Sequence, residues 1–255
     1  MTSTTTITQG TVSLEDARRV IAAGEESAKE LGQPQNIAVV DAGGNLVAHV
    51  RMDGAWIGSV DVAINKAYTA RAFDLSTAEL AANAQPGGPF YGIQESNKGK
   101  VMIFAGGVPL KRDGEIVGAV GVSGGDEEQD TTVAEAAAEE RANEIGQPQN
   151  IAVVDAGGNL VSHVRMDGAW IGSVDIAINK AYTARAFDLP TADLAEESQP
   201  GGQFYGIQET NKGRVIIFAG GVPLKRDGEV VGAVGVSGGD GDQDTAVAEA
   251  GAAAL

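Results

Sequence analysis

The two histidines, His49 and His163, are the most versatile side chains of this 255-residue chain, which has no other imidazole. Neutral imidazole binds haem iron or zinc, and it moves protons near neutral pH. Each histidine is followed two positions later by an arginine, Arg51 or Arg165, whose guanidinium can hold a carboxylate or propionate through two hydrogen bonds. His49 and His163 are therefore predicted catalytic residues, and iron ligands if haem is bound.

Strand alternation predicts the surroundings of these groups, because successive side chains of a strand point to opposite faces. One predicted face carries Val47, His49, Arg51 and Asp53, and it returns in the second half with His163, Arg165 and Asp167. The opposite predicted face is apolar and carries Leu46, Ala48, Val50 and Met52. We interpret the polar face as the candidate ligand site, with Arg51, Asp53, Arg165 and Asp167 as ligand-binding residues. The alternative is a solvated or interface strand in which Arg51 pairs with Asp53 and His49 fills space.

A second candidate group lies on a predicted helix, SVDVAINKAYTARAF, which returns as SVDIAINKAYTARAF. Asp61, Asn65 and Thr69 share one of its faces, since residues four apart are neighbours on a helix. Lys66 and its counterpart Lys180 are predicted to act as general bases if desolvated, or to hold an anion. The alternative is a surface helix whose basic groups form ion pairs with nearby aspartates.

Composition excludes several classes of function. The chain contains no cysteine, which removes disulfides, thiolate nucleophiles and Cys-ligated metal sites. A formal charge of -17 disfavours nucleic acid and anionic membranes as partners, although a local basic cluster can still hold a small anion. No GxSxG, HExxH, GxGxxG or GxxxxGK[ST] motif is present in a suitable context. The absence of a signal-like or transmembrane segment predicts a cytoplasmic protein.

The elements that must position these groups occur twice. The segment GQPQNIAVVDAGGNLVAHVRMDGAW begins at Gly32 and returns with one change at Gly146, an offset of 114 residues. In the first copy the pattern predicts a helix over 13–31, a hairpin of strands 37–41 and 46–52, and helices over 58–73 and 77–83. A Gly/Pro loop over 85–90 follows, and strands are predicted over 101–105, 108–111 and 115–122.

The join between the copies contains a predicted helix over 127–145 in place of a flexible linker. Its beginning matches the end of the second copy, and its end matches the first helix, so one helix is predicted to be shared. We therefore predict two repeats, 1–126 and 127–255, packed as a covalent pseudo-twofold pair. The alternative is two independent domains connected by a rigid helix.

Three ordered motifs resemble the GlcG/HbpS family, also known as haem-degrading or PduO C-terminal-like domains. They are AVVDAGGNLVAHVRMDGA, SVDVAINKAYTARAF and AGGVPLKRDGEIVGAVGVSGGDEEQD, and together they cover nearly all of each half. The resemblance implies an α+β, profilin-like fold: a five-stranded antiparallel sheet flanked by helices, assembled into dimers or larger homo-oligomers. It also implies that the KAYTA segment lies beside the pocket, which adds Tyr68, Thr69, Tyr182 and Thr183 to the predicted ligand-binding residues.

The predicted function is small-molecule binding at two equivalent sites, with haem or another anionic planar ligand. Phe90 and Phe204 are predicted to line the pocket walls, although core packing explains them equally well. One alternative is a cofactor-independent enzyme acting on a small hydroxy or oxo acid, with His49 or Lys66 as base and Arg51 orienting the carboxylate. The other is a structural oligomerisation module.

Overall fold

The structure is a computed structural model that describes residues 10–126 and 147–253. The first repeat contains three helices, α1 (Leu14–Leu31), α2 (Ser59–Phe73) and α3 (Thr77–Asn83). Its strands are β1 (Gln35–Asp41), β2 (Leu46–Arg51), β3 (Asp53–Ala55), β4 (Gly107–Arg112) and β5 (Glu115–Asp126). Ser13 caps α1 and Ser76 caps α3, each through a reciprocal capping box with an acidic residue three positions on.

The second repeat contains the matching strands β6 (Asn150–Asp155), β7 (Leu160–Arg165), β8 (Gly221–Arg226) and β9 (Glu229–Ser237). Its described helices are α4 (Ser173–Phe187), α5 (Thr191–Glu197) and α6 (Gly241–Ala253). The described strands of both repeats form one antiparallel sheet in the order β3-β5-β1-β2-β7-β6-β9-β8, with β4 also paired to β5. The predicted α+β fold and its pseudo-twofold duplication are confirmed.

The repeats meet where β2 pairs with β7, and we call this junction the seam. Its register pairs Ala48 with Val164, His49 with His163, and Val50 with Ser162. The chain therefore buries the two strand edges against each other, which removes edges that would otherwise be open to aggregation.

The two faces of the sheet carry different helices. Helix α2 packs on β1, β4 and β5, and α4 packs in the same way on β6, β8 and β9. Helices α1 and α6 cover the opposite face, where Ala17 and Val247 belong to one apolar cluster that extends through both repeats. The α2/α4 face has two smaller clusters, one for each repeat, and Ile64 of α2 contacts both of them.

Glycines set the close approach of α2 and α4 to the sheet. A Cβ at Gly121 of β5 would lie 2.1 Å from the carbonyl oxygen of Ala63, and one at Gly235 of β9 would lie 2.1 Å from that of Ala177. No side chain fits at such distances, so these positions require glycine. The small interior residues of α2 and α4 allow the helices to lie directly on the strands.

The predicted strand over 101–105 is wrong. The hydroxyl of Thr69 accepts a hydrogen bond from the backbone N–H of Met102 at 2.9 Å, and its single proton is shared between the carbonyls of Asn65 at 2.7 Å and Lys100 at 3.2 Å. The backbone groups of this segment thus bond to α2 and not to a neighbouring strand. Two short 3-10 helices, Ile93–Glu95 and Asn97–Gly99, precede it, and sequence patterns did not predict them.

The other predicted elements of the first repeat agree with the structure to within a few residues, apart from β3, which was not predicted. The predicted shared helix over 127–145 lies outside the described residues. The division into repeats 1–126 and 127–255 therefore stays a prediction. Within the two described ranges, no helix combines the length and apolar character needed to cross a bilayer.

Candidate functional site

A β-bulge in β2 changes the predicted faces of that strand. Val39 of β1 pairs with Ala48, and the next residue, Val40, pairs with Leu46, so Val47 is an extra residue. Val47 and Ala48 both belong to the cluster on the α1 face, whereas Leu46 packs under α2. Strict alternation fails at such a bulge, and the predicted grouping of Leu46 with Ala48 and Val50 is wrong.

The bulge places His49 on the α2 face of the sheet, the same face as Leu46. His49 pairs with Ala38, which lies in the cluster beneath α2. The second repeat has the same irregularity in β7, so that His163 pairs with Ala152 on the α4 face. The two imidazoles therefore lie side by side across the seam, in the layer between the sheet and the two helices.

Both imidazoles are buried, with exposed fractions of 1% for His49 and 0% for His163. Nε2 of His49 lies 3.3 Å from Oδ1 of Asn36, so this nitrogen carries the proton in the neutral ring. Nδ1 of His49 and both ring nitrogens of His163 have no hydrogen-bond partner within the described parts of the chain. Burial lowers the pKa of each histidine to about 3. The charge of Arg51 adds to this effect at His49, and at His163 first His49 and then Arg165 add to it. Both rings are therefore neutral at physiological pH.

The two arginines form reciprocal ion pairs between the repeats. Arg51 donates to the carboxylate of Asp155 at 2.8 Å, and Arg165 donates to that of Asp41 at 2.7 Å. Each aspartate also accepts backbone hydrogen bonds within its own β-hairpin turn, for example from Gly43 at 2.8 Å. Arg51 and Arg165 thus connect the two repeats at the seam through these ion pairs. Arg51 pairs with Asp155 and not with Asp53, the partner that the alternative interpretation predicted.

Lys66 and Lys180 are buried beneath aromatic rings. The ammonium of Lys180 donates to the carboxylate of Asp244 at 2.7 Å and to the carbonyl of Val236 at 2.8 Å, and it lies 4.8 Å from the ring centre of Phe218. That of Lys66 donates to the carbonyl of Val122 at 2.9 Å. Burial lowers the pKa of both lysines, and in Lys180 the carboxylate of Asp244 opposes this effect. Neither lysine lines the cleft described below.

A cleft of about 830 Å³ lies between α2 and α4, and we call it the inter-repeat cleft. Matching residues of the two repeats face each other across it. The apolar part of its lining is Leu46, Ile57, Val60, Ile64, Leu160, Ile171, Val174 and Ile178. Its polar lining includes Asn45, Asp61, Asn65, Tyr68, Asn159, Asp175 and Asn179. A cleft with an apolar surface and a few polar groups is the usual form of a small-molecule site.

Basic residues of two strained turns complete the cleft. Lys98 and Lys100 line it from the first repeat, and Arg214 lines it from the second. Asn97 and Lys98 have φ values of 51° and 59°, which cost energy for residues with a Cβ. The amide of Asn97 donates to the phenol oxygen of Tyr68 at 3.2 Å, which fixes the turn against α2. The second repeat has the same turn.

The remaining predicted residues have structural contacts. Thr69 and Thr183 bind the backbone after each basic turn, and Asp167 accepts a hydrogen bond from the first N–H of α1 at 3.1 Å. Asp53 belongs to β3. Phe90 and Phe204 are exposed and lie outside the lining of the inter-repeat cleft. Of the predicted binding residues, Tyr68 alone belongs to that lining.

Sequence reasoning missed Lys98, Lys100 and Arg214. The signal was the repeated tripeptide Asn-Lys-Gly, since asparagine and glycine are the residues that most readily adopt positive φ.

Within residues 10–126 and 147–253, no group of three or more His, Cys, Asp or Glu side chains is placed to hold a metal ion.

The fold and the cleft define a duplicated α+β domain whose two copies form one continuous sheet. The family described as haem degrading protein HbpS-like matches residues 12–139 and again residues 136–253. The chain belongs to the HbpS-like family and carries its domain twice in tandem.

Named relatives match one domain at a time. The uncharacterized 15.0 kDa protein of the dhaT-dhaS intergenic region of Citrobacter freundii is 48% identical over 113 residues, which cover 44% of this chain and 80% of that protein. The corrinoid adenosyltransferase PduO of Salmonella typhimurium is 39% identical over 126 residues, which cover 49% of this chain but only 38% of PduO. The crystal structure of a PduOC:heme complex is 37% identical, with a TM-score of 0.48, and the match covers 49% of this chain and 91% of that one.

Proposed function

We propose that this protein binds a small molecule in the inter-repeat cleft, and that the ligand is haem or another planar anion. The observation that carries the proposal is the composition of the cleft, an apolar surface with the three basic residues Lys98, Lys100 and Arg214 beside the two carboxylates of Asp61 and Asp175. A planar apolar body would lie against Ile64 and Ile178, while carboxylates would bind to the ammonium and guanidinium groups. Membership of the HbpS-like family supports this class of ligand.

The cleft volume of about 830 Å³ and its basic groups support haem as the ligand. Tyr68 is the residue of the cleft lining whose phenol could serve as an axial ligand, and its oxygen accepts a hydrogen bond from Asn97. Bound haem would supply redox and oxygen chemistry, whereas the residues of the cleft would bind, orient and shield it. His49 and His163 lie on the same sheet face but outside the cleft lining, so iron ligation by imidazole would require the helices to move.

Titration of purified protein with haem, followed by the Soret absorption, tests the proposal. In the variant Lys98→Gln/Lys100→Gln we expect binding to weaken about tenfold for each ammonium group that pairs with a carboxylate of the ligand. The matched control, Lys111→Gln/Lys225→Gln, changes two exposed lysines of β4 and β8 and should bind like the unmodified protein, with the same saturable change. No saturable change with haem or with iron-free protoporphyrin, or equal affinities of the two variants, would contradict the proposal.

Stoichiometry distinguishes one shared site from two equivalent ones. The inter-repeat cleft contains matching residues of both repeats, which supports one ligand per chain. Two equivalents per chain would instead support a separate site in each repeat. The variant His49→Leu/His163→Leu tests iron ligation by imidazole. If this variant still binds iron-free protoporphyrin but no longer shifts the Soret band of haem, a histidine is the axial ligand.

We also propose that chains self-associate through their exposed aromatic side chains. Trp56 and Trp170 are 74% and 67% exposed, each next to an exposed isoleucine at the beginning of α2 or α4. Large apolar side chains grouped at a surface favour contact with another protein. Light scattering coupled to size exclusion should show an oligomer, and Trp56→Ser/Trp170→Ser should reduce its mass. An unmodified chain that is monomeric at all concentrations would contradict this.

A further inference from the structure

We propose that His49 and His163 form a two-coordinate site for a monovalent copper ion at the seam. This proposal is independent of the ligand of the inter-repeat cleft, since neither histidine lines that cleft. The two residues are direct partners in the β2–β7 register. Both lie on the α2/α4 face, because they pair with Ala38 and Ala152 of the clusters beneath those helices. Each contributes at least one nitrogen with no hydrogen-bond partner in the described structure.

The spacing suits one ion between two imidazoles. Directly opposed residues of antiparallel strands have Cβ atoms roughly 4.5–5.5 Å apart. Two metal–imidazole bonds of about 2.0 Å span a nitrogen-to-nitrogen distance of about 4 Å, which neighbouring rings can reach through small rotations. The residues that pair with the histidines within each repeat, Ala38 and Ala152, have small side chains.

The number and type of the ligands, two imidazole nitrogens, favour monovalent copper over zinc. Zinc generally takes four ligands, and the described residues contain no third His, Cys, Asp or Glu side chain grouped with this pair. Copper binds imidazole nitrogen well, and its monovalent form is the one that accepts only two ligands. The arginines nearby, Arg51 and Arg165, form ion pairs with Asp155 and Asp41, but their positive charges still act on the histidines. A single added charge at the seam is therefore much less costly to bury than a double charge.

The protonation state also favours a metal ion. Burial keeps both rings neutral, so protons do not compete for the nitrogen lone pairs near neutral pH. In the neutral ring of His49 the Nε2 proton is directed to Asn36, so the lone pair of its Nδ1 is available to a metal ion. Because the site is closed, we expect copper to enter slowly in the folded protein and readily during refolding.

The test uses the full chain, refolded under anaerobic conditions with copper and ascorbate and then desalted. We expect one copper per chain, an X-ray absorption spectrum of a two-coordinate ion with nitrogen ligands, and no comparable retention of zinc. Each single variant, His49→Leu and His163→Leu, should lose the copper. Circular dichroism establishes that these variants fold. Replacement of the His163 ring, which has no hydrogen-bond partner in the described structure, should be tolerated, whereas His49→Leu also removes the contact of Nε2 with Asn36.

Buried thioethers are the competing soft ligands, and Met52 and Met166 provide the control. The variant Met52→Leu/Met166→Leu should retain copper if the histidines are the ligands. The proposal is overturned if the unmodified chain retains no copper, if the folded histidine variants retain it, or if the methionine variant loses it. Failure of haem binding would leave each of these results unchanged, so the two proposals are tested separately.

Discussion

His49 and His163 face each other across the seam, and they are direct partners in the only strand pairing that joins the described parts of the two repeats. Their rings are buried, and three of their four nitrogens have no hydrogen-bond partner among the described residues, although polar atoms in a protein interior normally have one. The centre of the molecule is therefore sensitive to protonation and to substitution.

We predict that this pair makes the protein less stable as the pH decreases. The pKa of each histidine is about 3 in the folded chain and 6.5 without burial, so between these values the unfolded chain binds protons that the folded chain does not. Each histidine then lowers the free energy of unfolding by about 1.4 kcal/mol per pH unit as the pH decreases. Urea unfolding from pH 7 to pH 4 measures this slope. The slope should be smaller in His49→Leu/His163→Leu. Equal slopes in this variant and in the unmodified protein would show that the two histidines do not cause the loss of stability.

Asp155→Asn should destabilise the seam by about 3 kcal/mol, because it leaves the buried Arg51 guanidinium without its carboxylate. Asparagine keeps the oxygen that accepts hydrogen bonds within the turn, so the hairpin itself should survive. The control is Asp74→Asn, which breaks the i,i+3 pair with Arg71 in which the aspartate is largely exposed, and it should cost less than about 1 kcal/mol. If urea unfolding shows that Asp155→Asn and Asp74→Asn lower the free energy of unfolding by similar amounts, the reciprocal ion pairs do not hold the repeats together.

Lys180 and Asp244 should be strongly coupled, because both side chains are buried. Asp244→Asn alone should cost about 3 kcal/mol or more, since it leaves a buried ammonium. The double variant Lys180→Met/Asp244→Asn should recover part of this stability, and the asparagine still accepts the hydrogen bond from Gly239. A double-mutant cycle at neutral pH measures the coupling, and additive effects would contradict it.

Gly121→Ala should destabilise the first repeat by about 1–3 kcal/mol or more, because its Cβ would lie 2.1 Å from the carbonyl oxygen of Ala63. The control Gly58→Ala places a methyl group in open space at a helical φ of -63°, and it should stabilise by up to about 1 kcal/mol. Thermal unfolding of the two variants should therefore shift in opposite directions. A tolerated alanine at Gly121 would mean that α2 is free to move away from the sheet.

Much of the fold could be predicted from the sequence because its signals are local. Helix α1 begins at a capping serine and ends at Gly32, and the paired hairpins follow from turn residues. The faces of β2 could not be predicted, because the bulge at Val47 depends on how β1 pairs with it. Lys98 and Lys100 were overlooked for a related reason: their turn is held at the cleft by tertiary contacts with α2, such as those of Asn97 with Tyr68 and of Lys100 with Thr69.

Covalent fusion across the seam also changes how this protein can evolve. In an assembly of identical subunits, one substitution near the symmetry axis alters both sides at once. Here β2 and β7 are encoded separately, so each side mutates alone. The copies already differ where Lys100 corresponds to Arg214 and where Ala48 corresponds to Ser162. The seam can therefore become specialised as a heterodimer would, with one half free to change while the other preserves the fold.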